Sequence, residues 1–157
     1  MGVSFSREMT ELIESGVSIL VGTRDAALVP DCMRGIGAAV LSSSRVALYL
    51  YEPLAKRAIA NIADNGLLAV TFSRIIDHRS IQLKGRVIQV RAATLDDEAL
   101  SQRYLIAFSE QVALAGMPRS VIRRVHTSPG VVVELEATDA FLQTPGPGAG
   151  RRMGEPA

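Results

Sequence analysis

The sequence predicts a mainly-β α+β fold built on a small antiparallel barrel. About six segments have the composition and spacing of strands, and most follow one another through loops of turn length, which favours antiparallel pairing. One short helix is expected in the middle of the sheet, and a longer one before the last strand. With 157 residues the chain is most simply one domain. We place that domain at residues 1–145 and a Gly/Pro-rich tail at residues 146–157.

Composition narrows the class of protein. Residues are 48% hydrophobic and only 21% charged, a surplus that predicts a second buried surface such as a subunit interface. The net charge of +1 argues against nucleic-acid binding. No signal-peptide pattern and no run of 18 apolar residues is visible, so we expect neither secretion nor a membrane span. Cys32 is the single cysteine, which excludes an internal disulfide and fits a reducing cytoplasm. With His78 and His126 far apart, no zinc site is predicted.

The first third of the chain predicts a short helix and two strands. Ser6 can cap a helix that turns Met9, Leu12 and Ile13 inward and stops at Gly16. Residues 17–23 alternate as a half-buried strand does. Residues 27–39 resume extended structure, interrupted by glycines, and are counted here as one strand.

The most informative stretch is residues 45–65, a strand followed by a helix. Pro53 suits a helix start, and Leu54, Ala55, Ala58, Ile59 and Ile62 recur at helical spacing. Lys56 and Arg57 fall in the first turn or just past it, where each cation costs about 0.3–1 kcal/mol because the helix dipole is positive there. A bound anion reverses that sign, so we predict a phosphate site. The alternative is a solvated helix face.

Residues 79–91 form the longest predicted strand, and its two faces differ. One face carries Ser80, Gln82, Lys84 and Arg86, and the other Ile81, Leu83, Gly85 and Val87. Past Arg86 the alternation changes phase, which predicts a one-residue bulge or sharp coil near residues 85–88.

The last third predicts a long helix and a final strand. Thr94 followed by Asp97 resembles a capping box that opens a helix ending near Ala115. The predicted inward stripe of this helix comprises Leu100, Tyr104, Phe108 and Val112. Residues 130–142 alternate as a strand with one wet face.

The order of these segments resembles the FMN-binding split-barrel family, whose best-known members are the pyridoxamine 5'-phosphate oxidases. Three motifs carry the resemblance: Val29-Pro30 with Arg34, the aromatic strand end at 49–51 followed by Ala55-Lys56-Arg57-Ala58, and the run RSIQLKG at 79–85. It covers roughly residues 17–91, and the order and spacing of the motifs matter more than any one of them.

The resemblance implies a six-stranded antiparallel split β-barrel with flanking helices and a homodimer that holds FMN at the subunit interface. Lys56 and Arg57 would hold the FMN phosphate, with Arg34 in support. Ser80 or Gln82 would meet the ribityl chain or the ring edge. The chain has no Trp and lacks the C-terminal arginine- and tryptophan-bearing segment of the biosynthetic oxidases, which argues against oxidation of vitamin B6 phosphates.

Two functions follow from this resemblance, together with a third possibility. The first is a small cytoplasmic FMN-dependent oxidoreductase that meets a small-molecule substrate or an electron donor such as NADH or NADPH; no residue stands out as catalytic. The alternative is a non-catalytic module that binds flavin, deazaflavin or haem, and haem is disfavoured because the two histidines are isolated. The third is a structural dimer with a degenerate pocket.

Overall fold

The computed structural model describes residues 3–124 and 127–153, which form one antiparallel sheet with four helices. The strands are β1 (Ser18–Arg24), β2 (Pro30–Arg34), β3 (Gly37–Val40), β4 (Arg45–Leu50), β5 (Leu67–Ser73), β6 (Ser80–Ala92) and β7 (Val131–Leu142). The helices are α1 (Arg7–Glu14), α2 (Glu52–Asn65), α3 (Leu95–Leu114) and α4 (Arg119–Arg123). The sheet is curled and runs in the order β2-β1-β5-β6-β7-β4-β3. Within the described residues, the helices are too short or too polar to cross a bilayer.

The mainly-β α+β prediction is confirmed, but the count of six strands is wrong, because residues 27–39 form two strands. β2 pairs with β1 and β3 pairs with β4, at opposite edges of the sheet. The chain crosses between the edges at Gly35-Ile36. The Gly35 amide donates to Ile19 O at 3.1 Å, and the Ile36 amide donates to Tyr49 O at 2.9 Å. The two edges of the curled sheet are thus joined by covalent chain. Alternation of residue types cannot reveal such a change of partner.

One apolar cluster joins all seven strands to α1 and α2. Its largest fully buried side chains include Ile13, Leu48, Phe72, Leu83 and Leu135. The predicted first helix is confirmed: Ser6 accepts from the Met9 amide at 3.3 Å, and Met9, Leu12 and Ile13 are buried. The face of β1 that meets this cluster is called the core face below, and the opposite face of β2, β1, β5 and β6 the outer face.

The predicted irregularity in β6 is confirmed. β6 pairs with β7 along its length, with register shifts between Lys84 and Gly85 and between Val87 and Gln89. Gly85 lies at the first shift because a Cβ there would stand 2.0 Å from Glu136 O and 2.9 Å from Ala137 Cα. Only glycine fits this close approach of two backbones.

Helix α3 begins at the predicted capping box. Thr94 Oγ1 accepts from the Asp97 amide at 3.3 Å, and the Asp97 carboxylate accepts from the Thr94 amide at 2.8 Å. Two nitrogens of Arg91 donate to the same carboxylate at 2.5 and 3.1 Å. This arrangement fixes the start of α3 against the end of β6.

The buried stripe of α3 differs in part from the prediction. Tyr104 and Val112 are buried as expected, and Phe108 is half-buried. Leu100 is exposed, and the neighbouring Ser101 is fully buried instead. Its hydroxyl donates to Ile36 O at 2.8 Å, so a backbone acceptor in the crossover selects the small polar residue.

Residues 146–153 of the predicted tail fold back on the end of β7. The Met153 amide donates to Ala140 O at 2.7 Å, and Met153 packs against the core cluster. The Phe141–Arg152 pair forms an isolated bridge. The boundary at 145/146 stays a prediction, and residues 154–157 lie outside the described residues, as does His126.

Substitutions at two glycines of the sheet test whether the β6 and β7 backbones approach closely at the β6 irregularity. Gly85→Ala should lower the free energy of unfolding by about 2–3 kcal/mol, because overpacking against backbone cannot be relieved by a side-chain rotation. Gly22→Ala is the matched control, since its Cβ would meet only Ala69 O at 3.9 Å. Urea denaturation of both variants measures the difference. Equal stability of the two variants would contradict the assigned register.

The α3 cap should make stability depend on pH. The Arg91 guanidinium, with help from Thr94, lowers the pKa of Asp97 from 3.8 to about 2. A carboxyl whose pKa is lower in the folded state stabilises the fold above its unfolded pKa, here by about 2 kcal/mol at pH 7. That contribution is lost as the pH falls from about 5 towards 2.

Asp97→Asn should therefore cost about 2 kcal/mol at pH 7 and flatten the stability curve between pH 5 and pH 2. Asp96 lies in the same first turn but is exposed, so Asp96→Asn should cost about 0.5 kcal/mol or less. Urea denaturation at several pH values gives both curves. Parallel curves for wild type and Asp97→Asn would exclude the capping role.

Candidate functional site

The start of α2 presents two cations to solvent. The helix begins at Glu52, its N-cap residue Tyr51 makes no side-chain capping bond, and Pro53 lies in the first turn. Lys56 and Arg57 are therefore in the second turn, just past the first, which is one of the two positions anticipated. Both are exposed, and neither makes a hydrogen bond or ion pair with any described residue. Their charges are uncompensated within one copy of the chain.

The neighbours of these cations explain why they stay unpaired. Glu52 precedes Lys56 by four residues, a spacing that commonly forms an ion pair. The Glu52 side chain instead lies over Gly130, where its Oε2 atom is 2.7 Å from the position that a Cβ would take. Leu54, predicted to face inward, is 70% exposed. We call Leu54, Lys56 and Arg57 the α2 surface: two free cations beside an uncovered apolar side chain.

Arg34 and Gln82 lie in one row across the outer face. The register places Arg34 opposite Leu20, Leu20 opposite Thr71, and Thr71 opposite Gln82. The Gln82 amide donates to Thr71 Oγ1 at 3.2 Å, and Arg34 donates to Ser18 Oγ at 3.4 Å. Leu20 is 42% exposed at the middle of the row. The row is thus an accessible strip with a polar group on each side of an apolar one.

Ser80 lies on the same side of β6 as Gln82 but is buried. Its hydroxyl lies 2.8 Å from both Ser73 Oγ and His78 O, and its amide donates to Thr144 Oγ1 at 3.0 Å. These contacts hold the loop between β5 and β6 and the end of β7 together. A ligand contact from Ser80 stays a prediction.

The structure separates the predicted residues into two groups. Arg34, Ser80 and Gln82 belong to the outer side of the sheet, whereas α2 packs on the core face of β1, where the Asn61 amide donates to Thr23 Oγ1 at 3.0 Å. No hydrogen bond or ion pair among the described residues links Arg34 to Lys56 or Arg57. One copy of the chain therefore does not close a site around all five.

A cavity of about 530 Å³ lies between α3, α4, the start of β1 and the crossover. Its walls are mostly aliphatic, and Arg34 is the charged residue among the described residues of its lining. The hydroxyl oxygen of Thr127, also in the lining, is shielded from solvent and has no hydrogen-bond partner in the described part of the chain. Sequence reasoning did not anticipate this cavity, although the apolar side chains along α3 were a signal. Lys56 and Arg57 do not line it.

A second, more open cavity of about 510 Å³ lies on the outer side of the sheet. Arg24, Lys84 and Arg86 line it, together with Asp139, which pairs with Arg152. The Lys84 ammonium is 4.8 Å from the centre of the Phe141 ring. The wet face predicted for β6 thus contributes to a shallow basic depression.

The groups with displaced pKa values have structural roles. Burial raises the pKa of Tyr104, whose hydroxyl donates to Ile13 O at 3.0 Å and accepts from the Val17 amide. The ion pair with Arg74 lowers the pKa of Asp77 to about 2. Tyr104 holds α3 to the end of α1 and to the segment between α1 and β1, and Asp77 fixes the loop between β5 and β6. None is a candidate for proton transfer to a ligand.

Comparison with known proteins identifies the fold. No protein-family model matches the sequence, and no curated protein sequence matches it. Among solved structures, HupZ of group A Streptococcus is 18% identical, with a TM-score of 0.58 over 93% of this chain and 99% of that one. An F420 reductase is 14% identical, with a TM-score of 0.55 over 83% of this chain and 93% of that one.

A third similar structure is an FMN-binding protein from Syntrophomonas wolfei. It is 9% identical, with a TM-score of 0.55 over 84% of this chain and 81% of that one. These proteins are split-barrel proteins of the pyridoxamine 5'-phosphate oxidase-like type, as the sequence resemblance predicts. At these identities the likeness establishes the fold alone, and the chain therefore shares the split-barrel fold.

Proposed function

We propose that the chain is an FMN-binding flavoprotein and works as a small oxidoreductase. The observation that supports this most directly is the pair of free cations on α2, Lys56 and Arg57, in a fold that an FMN-binding protein and an F420 reductase share. Two adjacent cations without partners among the described residues lie just past the first turn, where the helix dipole opposes them only weakly. A dianionic phosphate would attract both.

The donor set at α2 fits a phosphate. The first turn of α2 has no side-chain cap, but Pro53 has no N–H and the Leu54 amide donates to Tyr51 O at 3.1 Å, so most donors for an anion come from side chains. Lys56 and Arg57 add flexible charged donors, and arginine can bind two phosphate oxygens at once. The exposed Leu54 beside them gives an apolar edge on which a ring or ribityl chain can rest.

We further propose that two copies of the chain complete the site. The α2 surface and Gln82 of the outer row lie on opposite sides of β1, so a single ligand reaches both most simply when Gln82 comes from a second copy. Gln82, held by Thr71, would then face the polar edge of the flavin. The exposed Leu20 at the middle of the row would be covered by the partner.

The flavin, when bound, would supply the electron-transfer chemistry. The chain would anchor the phosphate, orient the ring and shape the space beside it. Because the displaced pKa values belong to structural groups, no acid or base is assigned. The exposed Cys32 fits a reducing compartment, and we propose the cytoplasm.

A non-catalytic binding module is the second candidate, and the absence of an assigned proton-transfer group among the described residues favours it. The two functions differ in turnover. Stopped-flow mixing of the FMN-loaded protein with NADH or NADPH, followed by exposure to a substrate panel, separates them. Bleaching and recovery of the flavin absorbance support the oxidoreductase; absorbance that never bleaches supports the module.

The phosphate site predicts a preference for FMN over riboflavin. Titration monitored by flavin fluorescence should show wild type binding FMN at least tenfold more tightly, because each hydrogen bond to a charged group is worth about 1.5–3 kcal/mol. In the double variant Lys56→Gln/Arg57→Gln the preference should disappear, while riboflavin affinity stays nearly constant.

The matched control removes two helix cations elsewhere. Arg7→Gln/Arg119→Gln lowers the net charge equally but breaks only exposed ion pairs with Glu11 and Glu110. It should keep the FMN preference. If both double variants behave alike, net charge rather than a site determines the affinity, and the phosphate assignment is wrong.

The proposed interface predicts a change in molecular mass. Leu20→Glu places a charge in the middle of the outer row and should convert a dimer to a monomer in sedimentation velocity. FMN affinity should fall with it if the site is shared between copies. Leu28→Glu, at an exposed turn outside the row, is the control. A monomeric wild type at tens of micromolar would refute the interface.

A further inference from the structure

We propose that the 530 Å³ cavity beneath α3 and α4 is a second ligand site, which binds a medium-chain aliphatic carboxylate with Arg34 as its anion anchor. This site is separate from the proposed FMN phosphate site, because Lys56 and Arg57 do not line it. The proposal concerns the chain without flavin as well as with it and does not rest on the proposed function.

The size and walls of the cavity indicate an apolar ligand. Its volume lies within the range of about 300–1,000 Å³ that is typical of small-molecule sites. The lining includes Ile19, Ile36, Leu105, Val112, Met117 and Ile122. These side chains come from β1, the crossover, α3, α4 and the segment between those two helices, so five separate parts of the fold line the cavity. Apolar walls favour occupation by hydrocarbon, because the contact removes apolar surface of both ligand and protein from water.

Arg34 supplies the charge that such a cavity needs for a polar head group. It projects from the end of β2, and among the described residues its side chain donates to Ser18 Oγ alone, at 3.4 Å, which leaves most of the five guanidinium donors available. No carboxylate pairs with it among the described residues. A ligand carboxylate can accept two parallel hydrogen bonds from this group. We therefore assign Arg34 to the cavity rather than to the flavin phosphate.

Thr127 provides an independent sign that the cavity holds a polar group. Its hydroxyl oxygen is shielded from solvent and has no hydrogen-bond partner among the described residues, which is uncommon for a buried polar atom. The hydroxyl can donate to a ligand oxygen. Two other hydroxyls of the lining are already engaged: that of Tyr104 by Ile13 and Val17, and that of Ser18 by Arg34.

The balance of these groups favours an alkyl chain over a heterocyclic ring. One cation and one free hydroxyl offer too few partners for a ring with several polar edges, whose unpaired groups would be costly to bury. Aliphatic walls impose no stacking geometry. A flexible chain with a single carboxylate places its charge at Arg34 and its methylene groups against the isoleucine and leucine side chains.

Titration calorimetry with hexanoate, octanoate and decanoate, each below its critical micelle concentration, tests the site. Affinity should rise about fourfold for each added CH₂, equivalent to about 0.8 kcal/mol, until the cavity is full. Decanol should bind at least tenfold more weakly than decanoate. Equal affinity for decanol and decanoate, or no dependence on chain length, would overturn the proposal.

Variants of the residues that line the cavity show whether decanoate binds there. Arg34→Gln should reduce decanoate affinity to the level of decanol and leave decanol affinity unchanged; a uniform loss for both ligands would point to unfolding and is checked by circular dichroism. Ala115→Phe projects a ring into the cavity from the exposed end of α3 and should abolish the chain-length dependence. Ala99→Phe, exposed on the same helix outside the cavity, is the matched control.

Two outcomes distinguish this inference from the proposed function. If wild type does not prefer FMN over riboflavin but still binds decanoate, only the proposed flavoprotein function is refuted. If wild type binds FMN as expected but does not bind decanoate, only the second ligand site is refuted. Decanoate binding that Arg34→Gln leaves unchanged would refute the anchor and with it the proposed ligand class.

Discussion

The two hydrogen bonds of the crossover determine how the rest of the sheet is arranged. Gly35 donates to β1 and the next residue, Ile36, donates to β4, although those strands belong to opposite ends of the strand order. Two consecutive peptide groups can reach both edges only if the sheet curls until the edges are close. Gly35 must lack a side chain there, because a Cβ would stand 2.7 Å from Ile19 Cγ2. The curl of the sheet is thus imposed by connectivity as well as by twist.

The crossover also distributes the functional groups. Ser101 on α3 donates to Ile36 O and so holds that helix over the crossover, while α2 packs on the core face of β1. The cavity lies where α3 and α4 extend past the crossover, and Arg34 immediately precedes it. The α2 surface is elsewhere. A phosphate anchor and a hydrophobic cavity can therefore coexist in a chain of this size without sharing a cation.

Charged residues with an ion-pair partner have structural roles here, whereas those without one are the candidates for ligand binding. Arg91 is paired with Asp97 and Arg74 with Asp77, and in each case the pair ties a loop or helix start in place. Lys56, Arg57 and Arg34 have no carboxylate partner among the described residues. Exposed ion pairs contribute little to stability, so their absence costs the fold little. These three cations can therefore attract an anion from outside the chain.

Local signals in the sequence determined most elements and their caps. The Ser6 and Thr94 caps, the β6 irregularity near Gly85 and the position of Lys56 and Arg57 at the start of α2 all depend on neighbours within a few residues, which a sequence displays directly. The tertiary structure alone decided that residues 27–39 divide between two edges, that Leu54 and Leu100 are exposed, and that Arg34 borders a cavity. Those outcomes depend on which distant backbone groups and side chains come together, and periodicity along one segment carries no information about its partners.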